Sequence, residues 1–336
     1  MSPAAPAGLG HVPVLLKEAM EALEPRAGGL YVDGTFGAGG YSRALLDRGA
    51  RVIALDRDPS AIRVGEALKA PFGGQLELVE ARFGELDAVV KRLGIDAVDG
   101  IVLDIGVSSM QLDEAARGFS LRFDAPLDMR MGSGGRSAAD ILREDDEATI
   151  ADILFHFGEE RAARRIARAI VADRETKPYT STLEFAGMIA RVALARRGEL
   201  THPATRAFQA LRIAVNDELG ELVRGLCAAE LLLKSGGRLV VVTFHSLEDR
   251  IVKQFFASRS GRGRIASRRL PGEPAEAEPT FEVSRGQPIE ASEAETSANP
   301  RSRSAKLRFG VRTSAPPRGR DEDIEALARL PARRGR

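Results

Sequence analysis

Four short apolar runs between residues 30 and 104 each end on an acidic side chain. Leu30-Tyr31-Val32 runs into Asp33, Arg51-Val52-Ile53-Ala54-Leu55 into Asp56, Leu76-Glu77-Leu78-Val79 into Glu80, and Gly100-Ile101-Val102-Leu103 into Asp104. Between them, Ser42 to Arg48 and Pro59 to Ala67 repeat apolar positions at the helical period. Apolar runs separated by helices predict βαβ units and a parallel sheet covered on both faces.

The pattern changes after Leu112. Residues 140 to 200 read as helices only, broken by a loop around Lys177-Pro178-Tyr179-Thr180, and one long helix is expected from Ala204 to Leu233, stopped by Gly236-Gly237. Arg238 to Phe244 returns to the buried-strand type, and the alternation in Lys306 to Arg312 predicts a final antiparallel strand. The expected organisation is an α/β domain formed by residues 1–112 and 206–315, interrupted by a helical insertion over 113–205. Residues 258 to 304, with Arg259, Arg262, Arg264, Arg268 and Arg269 uninterrupted by acids, read as a mobile basic loop, and residues 316–336 as a disordered tail.

Composition narrows the classes. The 336 residues carry 49 basic and 48 acidic side chains, so any nucleic-acid binding must come from a local patch. A single cysteine, Cys227, excludes an internal disulfide and a thiolate zinc site, and His11, His156, His202 and His245 lack ligand spacing, so no metal is expected. The first sixteen residues are uncharged, but Pro3, Pro6, Pro13, Gly8 and Gly10 interrupt them and no basic residue precedes them, unlike a signal peptide. No apolar run approaches the length of a membrane span. A soluble cytoplasmic protein is expected.

Asp33-Gly34-Thr35-Phe36-Gly37-Ala38-Gly39-Gly40 stands between the first expected strand and a helix. Glycines there let backbone N–H groups approach a ligand at the edge where open α/β sheets bind. A dinucleotide loop would need glycine at position 42, where Ser42 stands, which argues against a pyrophosphate held on the helix. Asp56 is placed to accept hydrogen bonds from both hydroxyls of a ribose. With Asp33 and Asp104, the layout suits a nucleoside bearing a positively charged appendage and no phosphate. S-adenosylmethionine has that make-up, and Phe83 is placed to cover its adenine.

Further motifs follow in order: His11-Val12-Pro13-Val14-Leu15-Leu16, Asp56-Arg57-Asp58-Pro59, Asp104-Ile105-Gly106-Val107-Ser108-Ser109, Gln111-Leu112-Asp113, Arg117-Gly118-Phe119-Ser120 and Pro126-Leu127-Asp128-Met129-Arg130-Met131. Gly158-Glu159-Glu160-Arg161, His202-Pro203-Ala204-Thr205-Arg206, Phe208-Gln209 and Phe244-His245-Ser246-Leu247-Glu248-Asp249-Arg250 complete the set. In these, over roughly residues 11 to 312, the chain resembles the RsmH/MraW family, bacterial methyltransferases that act on N4 of a cytidine in small-subunit ribosomal RNA. The resemblance implies a Rossmann-like class I methyltransferase fold with a parallel sheet, interrupted by an all-helical substrate domain. It implies S-adenosylmethionine as cofactor, contacted at Gly39, Gly40, Tyr41, Asp56, Phe83, Asp104 and Gln111, and 16S rRNA of the small ribosomal subunit, in its decoding region, as partner. Tyr41 stands where the family usually has histidine, and Met110 where it often has proline. A ribosome-assembly factor that binds the cofactor, or a methyltransferase of a non-RNA substrate, are the competing readings; the oligomeric state, a homodimer included, is left open.

The exocyclic amine of cytosine is a poor nucleophile because its lone pair is delocalised into the ring, so an enzyme must align it and accept its N–H hydrogen bonds. Asp104 is the catalytic candidate, although Ile105-Gly106-Val107 after it lacks the prolines and stacking ring of many amine methyltransferases, so a role confined to the cofactor stands beside that reading. His245, Ser246, Glu248 and Asp249 follow a strand; His245 is a candidate for base positioning or proton acceptance. The alternative is a helix start capped by Ser246, with Asp249 at the third helical position. Cys227 lies on an apolar helix face and is unsuited to the nucleophilic route of C5 methylation. Arg161, Arg164, Arg165 and Arg168 share a helical face as candidate phosphate contacts, with Arg206, Arg212, Arg250 and the 259–269 arginines; solvated pairing with Glu159 and Glu160 is the bland reading. Base stacking would rest on Phe119, Phe123 or Tyr179.

Overall fold

The structure is a computed structural model that describes residues 13–193, 202–261 and 278–332. The described residues form two compact units: an α/β unit from 13–106 together with Gly220–Ala328, and a helical unit from Val107–Leu219 joined by 329–332.

The α/β unit opens with α1 (Leu16–Leu23), β1 (Leu30–Asp33), α2 (Gly40–Leu46), β2 (Arg51–Asp56), α3 (Pro59–Lys69), β3 (Leu76–Glu80), α4 (Leu86–Arg92) and β4 (Val98–Asp104). Starts are encoded locally. Asp58 caps α3 by accepting the Ser60 N–H at 3.0 Å, with Pro59 as first helical residue, where its missing N–H costs nothing.

The helical unit contains α5 (Ser109–Asp113), α6 (Ala138–Glu144), α7 (Glu147–His156), α8 (Ala163–Arg174), α9 (Thr182–Val192) and α10 (Thr205–Asn216). Its core holds Ile141, Leu142, Ile150, Leu154, Ile166, Ile170, Phe185, Phe208 and Leu211, all nearly inaccessible. The insertion expected over 113–205 differs from this unit at both ends. α10 packs on α6 and α7 through its apolar face, which places it with the helices.

The single helix expected from 204 to 233 is two. Asp217 adopts a left-handed φ of 50°, a conformation an Asp tolerates, and α11 (Glu218–Leu232) restarts after it. Asn216 is turned to other work: its side chain accepts from Met131 N at 2.8 Å and donates to Met129 O at 2.7 Å. From Gly220 on, α11 belongs to the α/β unit, followed by β5 (Leu233–Thr243), α12 (Ser246–Arg259), β6 (Phe281–Glu282), β7 (Ile289–Glu290), α13 (Glu293–Ala298), β8 (Lys306–Arg312) and α14 (Glu322–Ala328). β5 starts before the glycine pair. Val98 pairs with Leu233 but Gly100 with Arg238, so residues 234–237 bulge out of register.

The strands form one sheet in the order β3-β2-β1-β4-β5-β8-β6, with β7 also on β8. The first five are parallel, and β8 runs antiparallel to β5. Val32, Ile53, Ala54, Ile101, Val102 and Leu239 to Val242 are 0–3% exposed, as expected of a sheet covered on both faces. This is a Rossmann-like, mostly parallel doubly wound sheet. The order reverses between β1 and β4, which makes their C-terminal ends the switch point where such sheets bind ligands.

Two expectations fail here. The tail expected to be disordered carries α14, whose Ile324 and Ala328 are buried against the unit, and it packs on α12. Within the basic loop expected over 258–304, Arg262, Arg264, Arg268 and Arg269 lie outside the described residues, while 278–304 contains β6, β7 and α13. Arg259 is not part of a mobile surface. It is 2% exposed, with Nε 3.1 Å from Glu230 Oε2 and Nη1 2.8 Å from Asp321 Oδ2.

Candidate functional site

The sheet's C-terminal edge brings together the loop after β1, Asp56 at the end of β2 and Asp104 at the end of β4. Asp33 itself turns inward. It is fully buried, accepting from Thr35 N at 3.1 Å, Ser42 N at 3.1 Å and Ser42 Oγ at 2.7 Å. Position 42 therefore needs a hydroxyl where a dinucleotide loop needs glycine. Burial outweighs those hydrogen bonds and pushes Asp33 up to about 6. Its place in the expected ligand layout is corrected accordingly: it holds the loop and the start of α2 from beneath.

Gly39 caps α2 with a left-handed φ of 80°, and a Cβ there would come within 2.8 Å of Phe36 Cζ. Gly40 opens the helix against Pro13, whose Cγ would lie 2.0 Å from an added Cβ. Both glycines are thus demanded by packing as well as by any ligand. Tyr41 is buried, and its phenol donates to Val14 O. Burial first, then the charges of Asp104 and Asp33, keep it protonated by raising it well above 10. The side chain anchors the preceding segment, so position 41 offers a ligand its backbone.

Asp56 is half-buried, and it ties the loop to β2: Oδ2 accepts from Gly37 N and Oδ1 from Asp58 N, both at 2.8 Å. Desolvation exceeds these bonds and raises it to about 6. Each oxygen keeps a lone pair for a further donor.

Asp104 ends β4. Its Oδ1 is covered and has no hydrogen-bond partner among the described residues. Burial, then the negative charges of Asp33 and Glu248, raise its carboxyl well above 3.8. Its backbone N–H donates to Thr35 Oγ1 at 2.7 Å, a brace between β4 and the glycine loop. Thr35 was not singled out in the sequence; only its position inside the loop could have marked it. A covered acceptor without a protein donor is where a ligand's ammonium or amine N–H fits.

Phe83 lies half-exposed in a single 3-10 turn, Phe83–Glu85, between β3 and α4. Gln111 belongs to the helical unit, where it is 5% exposed and forms a capping box with Ser108: Ser108 N donates to Gln111 Oε1 at 3.0 Å, and Gln111 N to Ser108 Oγ at 3.2 Å.

His245, not Ser246, caps α12, and Glu248, not Asp249, closes the box. The imidazole Nδ1 accepts from Glu248 N at 3.5 Å and Nε2 stands 2.9 Å from Glu248 Oε1. Glu248, wholly buried, also takes Phe244 N at 2.8 Å and His245 N at 3.2 Å. Asp249 instead pairs with Arg308 at 2.7 Å.

Of the arginines, Arg161 lies just before α8, and Arg164, Arg165 and Arg168 line it; all four are exposed, Arg168 standing 3.7 Å from Glu147. Arg206 is half-buried in α10 and Arg250 exposed on α12, while Arg212 pairs with Glu218 at 2.7 Å. Phe123 is 51% exposed; Tyr179 packs on Phe185 and donates to Asp173. No described helix is long and apolar enough to cross a membrane.

Compared with known sequences, residues 8–313 match the MraW methylase family. The protein named ribosomal RNA small subunit methyltransferase H of Methylocella silvestris is 65% identical over 96% of this chain and 93% of its own length. Its namesake of Methylorubrum extorquens is 60% identical over 97% of this chain and 93% of its own length. Among solved structures, the N-methyltransferase NodS of Bradyrhizobium japonicum aligns over 89% of this chain and 94% of its own, with 8% identity and a TM-score of 0.40.

Proposed function

The chain belongs to the MraW methylase family, and from that premise we propose that it methylates N4 of a cytidine in the decoding region of 16S ribosomal RNA. It is a methyltransferase, and S-adenosylmethionine is its methyl donor. The names of its relatives support a small-subunit ribosomal RNA substrate. The observation that carries the finer reading is the covered, unpartnered Oδ1 of Asp104 at the switch point.

When bound, the donor supplies an electrophilic methyl group on a sulfonium. Backbone groups at Gly39, Gly40 and Tyr41 would line its pocket, Asp56 would accept from its ribose, and Phe83 would cover its adenine. Asp104 would accept hydrogen bonds from the exocyclic amine, stabilising the positive charge that nitrogen gains as its lone pair bonds the methyl carbon and the methyl–sulfur bond breaks with its electrons left on sulfur. Its raised basicity suits it to take the amine proton afterwards. Thr35 fixes the backbone that carries it. His245, whose Nδ1 accepts from Glu248 N while its covered Nε2 stands 2.9 Å from Glu248 Oε1, holds the first turn of α12 as a positioning residue. The target base must leave its stack to reach such a pocket, with Arg161, Arg165, Arg168, Arg206 and Arg250 contacting phosphates.

The test is transfer of labelled methyl to small ribosomal subunits lacking the mark, followed by nucleoside analysis. One N4-methylcytidine is expected, and Asp104→Asn should lower kcat by about a hundredfold or more. Label at C5, on another base or on protein overturns the reading. Cofactor binding without turnover would favour an assembly factor.

A further inference from the structure

We propose that Glu221 and Gly225 of α11 are positioning residues that hold Phe83 in place for the adenine of the methyl donor. The proposal rests on the reading of Phe83 as the adenine cover. Phe83 sits in a three-residue turn with no side-chain cap of its own, so something else must hold it.

Glu221 does so on both flanks. Its carboxylate is 1% exposed, and Oε1 accepts the Gly84 N–H at 2.7 Å. Oε2 lies 2.9 Å from Arg224 Nη2 and 3.8 Å from Arg82 Nη1. The residues before and after Phe83 are therefore both drawn to one buried anion. A carboxylate is costly to bury, and an apolar residue would serve packing alone, so its presence here points to the polar work done at Gly84. Gly84 is matched to it: a Cβ at that position would stand 2.9 Å from Glu221 Oε1.

Gly225 lies one helical turn beyond Glu221 and on the same face. A Cβ there would fall 2.6 Å from Phe83 Cδ2 and 2.9 Å from Cε2, so the ring occupies the space that the missing side chain leaves. From the other side, Gly34, the first residue after β1, would place a Cβ 3.2 Å from Phe83 Cβ. Phe83 is thus seated between the glycine loop and α11, with its orientation set by two contacts from a helix that no motif connects to the cofactor.

The experiment is a double-mutant cycle read by calorimetry with S-adenosylhomocysteine, with the donor's KM, the RNA's KM and kcat measured alongside. Gly225→Ala should weaken S-adenosylhomocysteine about tenfold, the scale of one aromatic contact to a base, and raise the donor's KM likewise. The RNA's KM and kcat should stay within about twofold, a split that general destabilisation would not give. In the Phe83→Ala background, Gly225→Ala should add nothing further, because its effect travels through the ring. Glu221→Ala should behave like Gly225→Ala, and Glu221→Gln, which retains an acceptor for Gly84, should recover most of the affinity; this pair carries the test if Gly225→Ala does not fold. Additive losses, or an unchanged donor affinity in Gly225→Ala and Glu221→Ala, overturn the positioning proposal. If Phe83→Ala alone leaves S-adenosylhomocysteine affinity unchanged, the adenine reading beneath it fails instead.

Discussion

Two arginines of the α/β unit, Arg259 and Arg312, are sunk and matched, whereas Arg164, Arg165 and Arg168 on α8 of the helical unit stand in water. Arg259 is held between Glu230, Asp321 and the Gly319 carbonyl, and Arg312 donates to the carbonyls of Glu230, Thr280 and Ala315. Arg161, Arg164, Arg165 and Arg168 are all exposed. A buried guanidinium whose donors are met by built partners has its charge committed to architecture. An exposed one keeps its charge for whatever phosphate arrives. Counting arginines along the chain treats these as equivalent, and burial separates them.

The largest effect should come from breaking the matched set. Arg259→Ala leaves Glu230, wholly buried, without its main counter-ion, and loosens the contacts through Asp321 and Gly319 that secure the approach to α14. A loss of about 3–5 kcal/mol is expected, as for other buried pairs stripped of one partner. Calorimetry should show a large drop in Tm, and hydrogen exchange should show Glu322–Ala328 losing protection first. An unchanged Tm would mean that Arg259 is no more committed than the arginines of α8.

Asp56 stands between the two extremes: buried enough to be perturbed, yet with lone pairs left for a ligand. Its folded value of about 6 exceeds its ordinary 3.8 through desolvation. The protonated form therefore contributes stability that is complete below 3.8 and is lost as pH rises through about 6. Ribose hydroxyls favour the ionised form. Affinity for S-adenosylhomocysteine should accordingly fall by up to tenfold per pH unit as pH drops below about 6. Asp33 titrates in the same range but faces Ser42, away from a ligand, so Asp56→Asn should abolish the inflection. An inflection that survives in Asp56→Asn would move the assignment to another carboxylate.

The sheet and its switch point were legible because buried parallel strands are written as apolar runs, and each run's last residue marks the ligand edge. Asp56 and Asp104 follow from that rule. Asp33 obeys the same rule and yet turns inward, because its role depends on Ser42, nine positions away, whose hydroxyl reads in the sequence only as a missing glycine. His245 was visible as a residue after a strand, but capping is decided by side-chain rotamers, so Ser246 looked the better cap. The link from α11 to Phe83 was not legible at all. It joins residues 137 positions apart through a backbone N–H, which has no signature in side-chain pattern. The order of the tail escapes its own composition because it depends on partners elsewhere: Ile324 and Ala328 are buried where α14 packs on α12, and Asp321 is held by Arg259 of that helix.

The smallest effects should come from the exposed face, and they are the sharpest test of the contrast. If Arg161 and Arg165 each neutralise one phosphate, replacing either with alanine should leave Tm unchanged and reduce the slope of log affinity against log salt by about 1. Filter binding of the RNA over a range of salt concentrations measures this directly. Arg168 is the informative exception. It lies 3.7 Å from Glu147, and a phosphate must compete with that carboxylate for it. Arg168→Ala should therefore change the slope less than Arg165→Ala does, and Glu147→Gln should strengthen binding slightly by releasing Arg168. Equal slopes for all variants and the parent would show that this face carries a solvated charge and that the RNA is met elsewhere.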